Sequence, residues 1–197
     1  HRTFMVLPGL LLSTRNFEEA RQMLQDFMNG FVYLTPEKLA LEPWHSPIAL
    51  WFLDALKKYA EVSGDWEFVT AHSRELGLIM DSLKRSQEDL KALGKDMSTY
   101  QNKDHLFVTH VKDREGEMVE MNALWYSAVR FMQEAEKKAG STAENEYRVL
   151  GDQIKAAFNK TFWNEKEEAL FDSVSEKGEG RVAEDATLKA YQIFAIS

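Results

Sequence analysis

Ser46-Pro47-Ile48-Ala49-Leu50-Trp51-Phe52-Leu53-Asp54-Ala55-Leu56 is the stretch on which the fold turns. Ser46 reads as an N-cap and Pro47 as the first helical position, where a missing N–H is harmless. The helix that follows is apolar on nearly every side and ends near Gly64. Such wide apolarity requires burial on several sides, so other helices must surround it.

Working outward, the dominant hydrophobic period is that of a helix. Asn16 to Gly30 shows one apolar face of Phe17, Ala20, Met23, Leu24, Phe27 and Met28. Asn16 with Glu19 reads as its capping box and Gly30 as its stop. Ser73 to Leu93 reads as one longer, wetter helix. Gly94 to Gly116 is mixed and polar, a long connection with one short strand at Leu106 to Val108. Helix returns at Asn122 to Lys138, and Ser141 with Glu144 caps the next. After Lys177-Gly178-Glu179-Gly180 a last helix is expected from near Asp185, still apolar at Phe194-Ala195-Ile196. This gives about seven helices with loops of uneven length, an irregular array of helical hairpins and not a fixed-period solenoid.

The 197 residues suit one domain with one sizeable core. Hydrophobic residues at 44% and charged residues at 28% are those of an ordinary soluble globular protein. A net charge of −8 repels phosphate backbones, and no basic patch offsets it, so nucleic acid is excluded as a partner. No apolar run is long enough to span a membrane. The absence of cysteine rules out thiolate metal sites and fits a reducing, cytoplasmic compartment. The chain opens at His1 without a methionine, as a trimmed product does, and its final apolar helix is cut in mid-pattern.

Four stretches carry a resemblance. They are Thr3-Phe4 with Leu7-Pro8-Gly9-Leu10-Leu11-Leu12 and Phe17-Glu18-Glu19-Ala20-Arg21, then Leu50 to Leu56 with Ser63-Gly64-Asp65. Val119-Glu120-Met121-Asn122-Ala123-Leu124-Trp125-Tyr126 is the most specific, and Gln192-Ile193-Phe194-Ala195-Ile196-Ser197 agrees in order and spacing. Together they resemble the C-terminal amylo-α-1,6-glucosidase domain of glycogen debranching enzymes, from end to end of the chain. The resemblance implies an all-α (α/α)6 toroid of inner and outer helices, here residues 1–197 as a single, partial domain. It implies inverting hydrolysis of α-1,6-linked glucose on an α-glucan, with no cofactor; no metal is expected either, since the spacing of Asp104, His105 and His110 fits no ligand pattern.

Inversion needs two carboxyl groups on opposite sides of the glycosidic oxygen, roughly 6.5–9.5 Å apart. The family carries its acid in a Trp-Met-Asp segment just before the Val-Glu-x-Asn motif. Here that region reads Tyr100-Gln101-Asn102-Lys103-Asp104-His105-Leu106, and the family's base falls beyond Ser197. Other polar signatures are eroded too: Arg-Asp-Thr-Phe reads His1-Arg2-Thr3-Phe4, and Arg-Pro-Asn-Gln reads Lys189-Ala190-Tyr191-Gln192. The apolar scaffold matches while the pocket does not.

The catalytic candidates that survive are Glu120 and, by position alone, Asp104. Glu120 and Asn122, two apart at a helix start, are candidates for binding sugar hydroxyls. The plainer alternative makes Asn122 an N-cap and Glu120 a complement to the helix dipole. Trp125, Trp44, His45 and Gln192 complete the candidate substrate-binding set, although Trp125, on a strongly apolar helix, reads more readily as core. Three functions stand open: an α-1,6-glucosidase, a non-catalytic glycan-binding relative, and a helical interaction module with no sugar site.

Overall fold

A computed structural model describes residues 2–32, 45–94, 99–111, 114–177 and 180–195. Among them are eight α-helices, and a small antiparallel sheet that the all-α expectation missed. Helix α1 (Arg2–Leu7) runs into a π-helical turn at Pro8–Leu12, and α2 spans Phe17–Val32. The expected stop at Gly30 is therefore passed by two residues, and Asn16 meets Glu19 side chain to side chain at 2.6 Å.

Helix α3 (His45–Ser63) is the centre of the core. Every residue from Ala49 to Ala55 is buried, which answers directly to its all-round apolarity. Each fully buried Leu or Phe here is worth roughly 1.5–3 kcal/mol of transfer free energy. Phe52 meets Phe4 at 5.5 Å and Phe27 at 4.7 Å, which closes α1 and α2 over this helix. Short α4 (Trp66–Ala71) follows, capped by the Asp65 carboxylate accepting from the Phe68 N–H.

The single helix expected over Ser73 to Leu93 is two: α5 (Ser73–Leu83) and α6 (Gln87–Ala92). A capping box between Ser86 and Asp89 starts the second, a signal present in the sequence as Ser-x-x-Asp. The polar connection is a meander of β1 (Thr99–Gln101), β2 (Phe107–Val111) and β3 (Arg114–Met118). It joins the later hairpin β6 (Ser173–Lys177) and β7 (Gly180–Asp185) in the order β1-β2-β3-β6-β7. Gly116 makes the β3–β6 contact possible: its φ is +105°, and a Cβ there would lie 2.4 Å from the Val174 carbonyl oxygen.

Strand β3 leads without a break into α7 (Val119–Ala139), which ends on Gly140 in the left-handed conformation. Helix α8 (Glu144–Phe162) returns against it as a helical hairpin. The Ser141–Glu144 capping box does not form; Ser141 accepts from the Ala143 N–H, and Glu144 accepts from Gln133. Two short strands, β4 (Trp163–Asn164) and β5 (Ala169–Leu170), then lead to the β6–β7 hairpin. The helix expected from Asp185 is instead the end of β7 and a 3-10 turn at Ala190–Ala195. No helix among the described residues is long and apolar enough to cross a membrane.

Candidate functional site

The sheet brings three distant pieces of chain to the N-terminal end of α7. Asn122 sits one turn into that helix with no solvent exposure. Its Oδ1 accepts from the Phe107 N–H at 2.7 Å, and its Nδ2 donates to the carbonyls of Phe107 (3.1 Å) and Met118 (3.0 Å). One amide thus joins α7 to β2 and to the end of β3. Asn122 is not the N-cap, which is Met118.

Trp125, one turn further on, is also fully buried. Its indole N–H donates to the His105 carbonyl at 3.1 Å, and its ring stands edge-on to Phe107 at 5.6 Å. His105 has a φ of +61°, a left-handed backbone that a side chain rarely adopts. The turn is also tied from inside, because Asn102 Oδ1 accepts from the N–H groups of Asp104 and Leu106. Asn102 Nδ2 donates to buried Glu117 at 2.6 Å. Asp104 rides on this turn and lines a shallow cavity of about 380 Å³ with Lys103, Lys160 and Gln153. Glu120 is absent from that lining, so the two candidate carboxylates do not share this cavity.

Glu120 lies in the first turn of α7, where a negative charge complements the helix dipole, and is only 7% exposed. The preceding residue, Val119, donates its N–H to the Asp172 carbonyl at 3.0 Å. Asp172 in turn donates its own N–H to the Asp185 carbonyl at 2.9 Å. Its buried carboxylate accepts from Lys189 Nζ at 3.1 Å, and Lys189 also binds the Asp185 carboxylate. Hydrogen bonds from Lys189 and then Thr187 hold the Asp185 carboxyl well below the usual carboxylate range. The bonds to Asp185 and Asp172 push the Lys189 ammonium up.

Gln192 joins the same assembly, its Nε2 donating to the carbonyls of Leu170 (3.0 Å) and Thr187 (3.2 Å). The segment Leu170 to Asp172 therefore holds both the Val119 N–H, just before Glu120, and the Gln192 side chain. Separately, the structure gathers Asn122, Trp125 and the Asp104 turn around β2. His45 opens α3, and Trp44 lies outside the described residues. Asp172 escaped the sequence reading, although it stands as a lone acid between Leu170-Phe171 and Val174.

A second polar region lies further along α7. A cleft of about 460 Å³ is walled by Asp54, Lys57, Lys58 and Glu61 of α3, Tyr126, Ser127 and Arg130 of α7, and Lys155, Phe158 and Asn159 of α8. Asp54 holds Lys58 at 2.7 Å, and Lys57 donates to Ser127 at 3.2 Å. Arg130 lies over the Tyr126 ring at 5.2 Å and pairs with Asp152 at 2.5 Å. It reaches α8 because residue 151 is glycine, where a Cβ would lie 2.8 Å from the guanidinium carbon. The two carboxylates of this cleft, Asp54 and Glu61, stand on one helix about 10 Å apart along its axis. They share one wall and do not face each other across a bound sugar, as an inverting pair must.

No curated protein matches the chain. The family model described as amylo-alpha-1,6-glucosidase matches residues 1–197, the entire chain. A match over the whole chain shows the family: the chain belongs to the amylo-alpha-1,6-glucosidase family.

Proposed function

We propose that this chain is a glycogen-debranching-type α-1,6-glucosidase domain that takes an α-glucan branch stub in the cytoplasm and works by inversion. The observation that carries this reading is the family match over all 197 residues. The α7–α8 hairpin and the α3 core agree with an (α/α) toroid of consecutive helical hairpins as its architecture. Glu120 is the carboxylate assigned to the sugar, because it lies in the first turn of α7, next to Val119, and the segment that holds the Val119 N–H also holds the Gln192 side chain.

A second reading, a relative that holds glucan without cleaving it, draws on a specific observation. Asn122 and Trp125 spend their polar atoms on backbone groups inside the fold and offer none to a sugar.

Glucose release from a phosphorylase limit dextrin, measured beside binding of the same dextrin, separates the two. Release that disappears in Glu120→Gln is the expected result for the glucosidase. Binding without release selects the holding relative. Neither binding nor release sinks both readings.

A further inference from the structure

We propose that Asp172 is a positioning residue of the glucan site, locking the first turn of α7 to the Gln192 segment through Lys189; this rests on the glucosidase-type reading above. Asp172 is 1% exposed, and a carboxylate is expensive to bury unless it is both paired and hydrogen-bonded. Three of its polar connections tie the start of α7 to the segment that carries Gln192. Its carbonyl holds the Val119 N–H, and so fixes the backbone from which Glu120 projects. Its N–H holds the Asp185 carbonyl at the end of β7. Its carboxylate holds Lys189, three residues before Gln192.

Lysine suits this junction because an ammonium carries three donors and can hold two carboxylates at once. Lys189 does so, taking Asp172 with one N–H and Asp185 with another. The segment from Asp185 to Gln192 is therefore fastened at three points. Asp185 and Lys189 grip Asp172, and Gln192 grips the Leu170 carbonyl two residues before it. Movement of this segment shifts Gln192 relative to Glu120 unless Asp172 moves with it. The bridge consequently sets the spacing between the two groups assigned to the sugar, while touching no sugar itself.

The test compares Lys189→Met, Lys189→Arg and Asp185→Asn with the wild type. It reads amide hydrogen exchange at Val119 and over residues 185–192, together with binding of phosphorylase limit dextrin. Lys189→Met is expected to speed exchange about tenfold at both places and to weaken dextrin binding several-fold. Lys189→Arg, which keeps the charge and the donors, is expected to restore both. Asp185→Asn, which leaves the Lys189–Asp172 arm, is expected to speed exchange in 185–192 and spare Val119. Faster exchange in 185–192 alone in Lys189→Met, with dextrin binding unchanged, overturns the proposal, because Lys189 then only pins its own segment. Should Lys189→Met fail to fold, Asp172→Asn decides: it keeps the backbone bonds of residue 172 and weakens only the Lys189 arm, so exchange is expected to speed at Val119 and over 185–192, and unchanged exchange at Val119 overturns the proposal. A wild-type protein that binds no dextrin sinks the glucosidase reading. Coupled exchange in that case leaves Asp172 a residue of the scaffold only.

Discussion

Helix α7 runs through two polar environments that differ in what their side chains are for. At its N-terminal end Asn122, Trp125, Glu117 and Asp172 are buried, and the hydrogen bonds of Asn122 and Trp125 go to backbone carbonyls and N–H groups of other segments. Along its middle, Lys57, Tyr126, Ser127 and Arg130 face an open cleft and bond mostly to side chains, Lys57 to Ser127 and Arg130 to Tyr126, Gln133 and Asp152. A buried polar group left without its partner loses free energy that water cannot restore, whereas a group in an open cleft exchanges one partner for water. The first region therefore sets backbone geometry. The second has side chains to spare for whatever enters it.

If that contrast is right, the largest loss comes from Asn122. Asn122→Ala removes three hydrogen bonds and strands the buried Phe107 N–H, so destabilisation of roughly 3 kcal/mol is expected. Asn122→Asp should be worse, because it turns an oxygen toward the Phe107 and Met118 carbonyls in place of a donor. Urea denaturation of both variants measures this. An Asn122→Ala protein as stable as the wild type would mean that the amide is held for ligand and not for fold. Trp125→Phe keeps a ring beside Phe107 but loses the N–H bond to His105 and leaves a cavity where the larger indole packed, so a loss of about 2 kcal/mol is expected.

How far each region was legible in the sequence follows the same divide. Helix α3 was plain because its apolar residues run around the whole helix, and no strand can explain such a run over 19 residues. The sheet was not. Strand β1 is three residues long, and β3 reads Arg-Glu-Gly-Glu-Met, with too few apolar positions to show alternation. Glu120 and Asn122 stood out by their place in a helix start, but the role of Asn122 could not be read. Its partner Phe107 lies fifteen residues upstream on the strand whose pairing was invisible. Asp172 was hidden for the same reason, since its partners are at 119, 185 and 189. Asp185 misled because an acid before Thr187 and Lys189 resembles a helix start. In the fold it closes a local turn by accepting from the Thr187 N–H at 2.8 Å.

A smaller effect appears in titration. Asp185 is depressed below the ordinary aspartate value of 3.8, by the hydrogen bond from Lys189 before any other cause. A depressed acid adds stability above its unfolded pKa and loses it as pH falls through the folded one. The Lys189 bridge should therefore persist at pH 3.8, where an ordinary aspartate is half protonated. Carboxyl chemical shifts recorded between pH 5 and 2 follow this directly. Asp185 half-titrating near 3.8 would show that the bridge does not form in solution.

The smallest effect belongs to the cleft, and its smallness is the point. Lys57 donates to Ser127 at 3.2 Å and stands 4.0 Å from Glu61, both partly open to water. Lys57→Met should change stability by less than about 0.5 kcal/mol, since water replaces what the ammonium gives up. The same substitution places an apolar side chain on the wall of the cleft that Tyr126 and Asp54 also line. It thus tests the cleft as a surface that ligands can use without the complication of a damaged fold. A loss near that of Asn122→Ala would mean that Lys57 is part of the frame, and the division of α7 into a structural end and an available middle would fail.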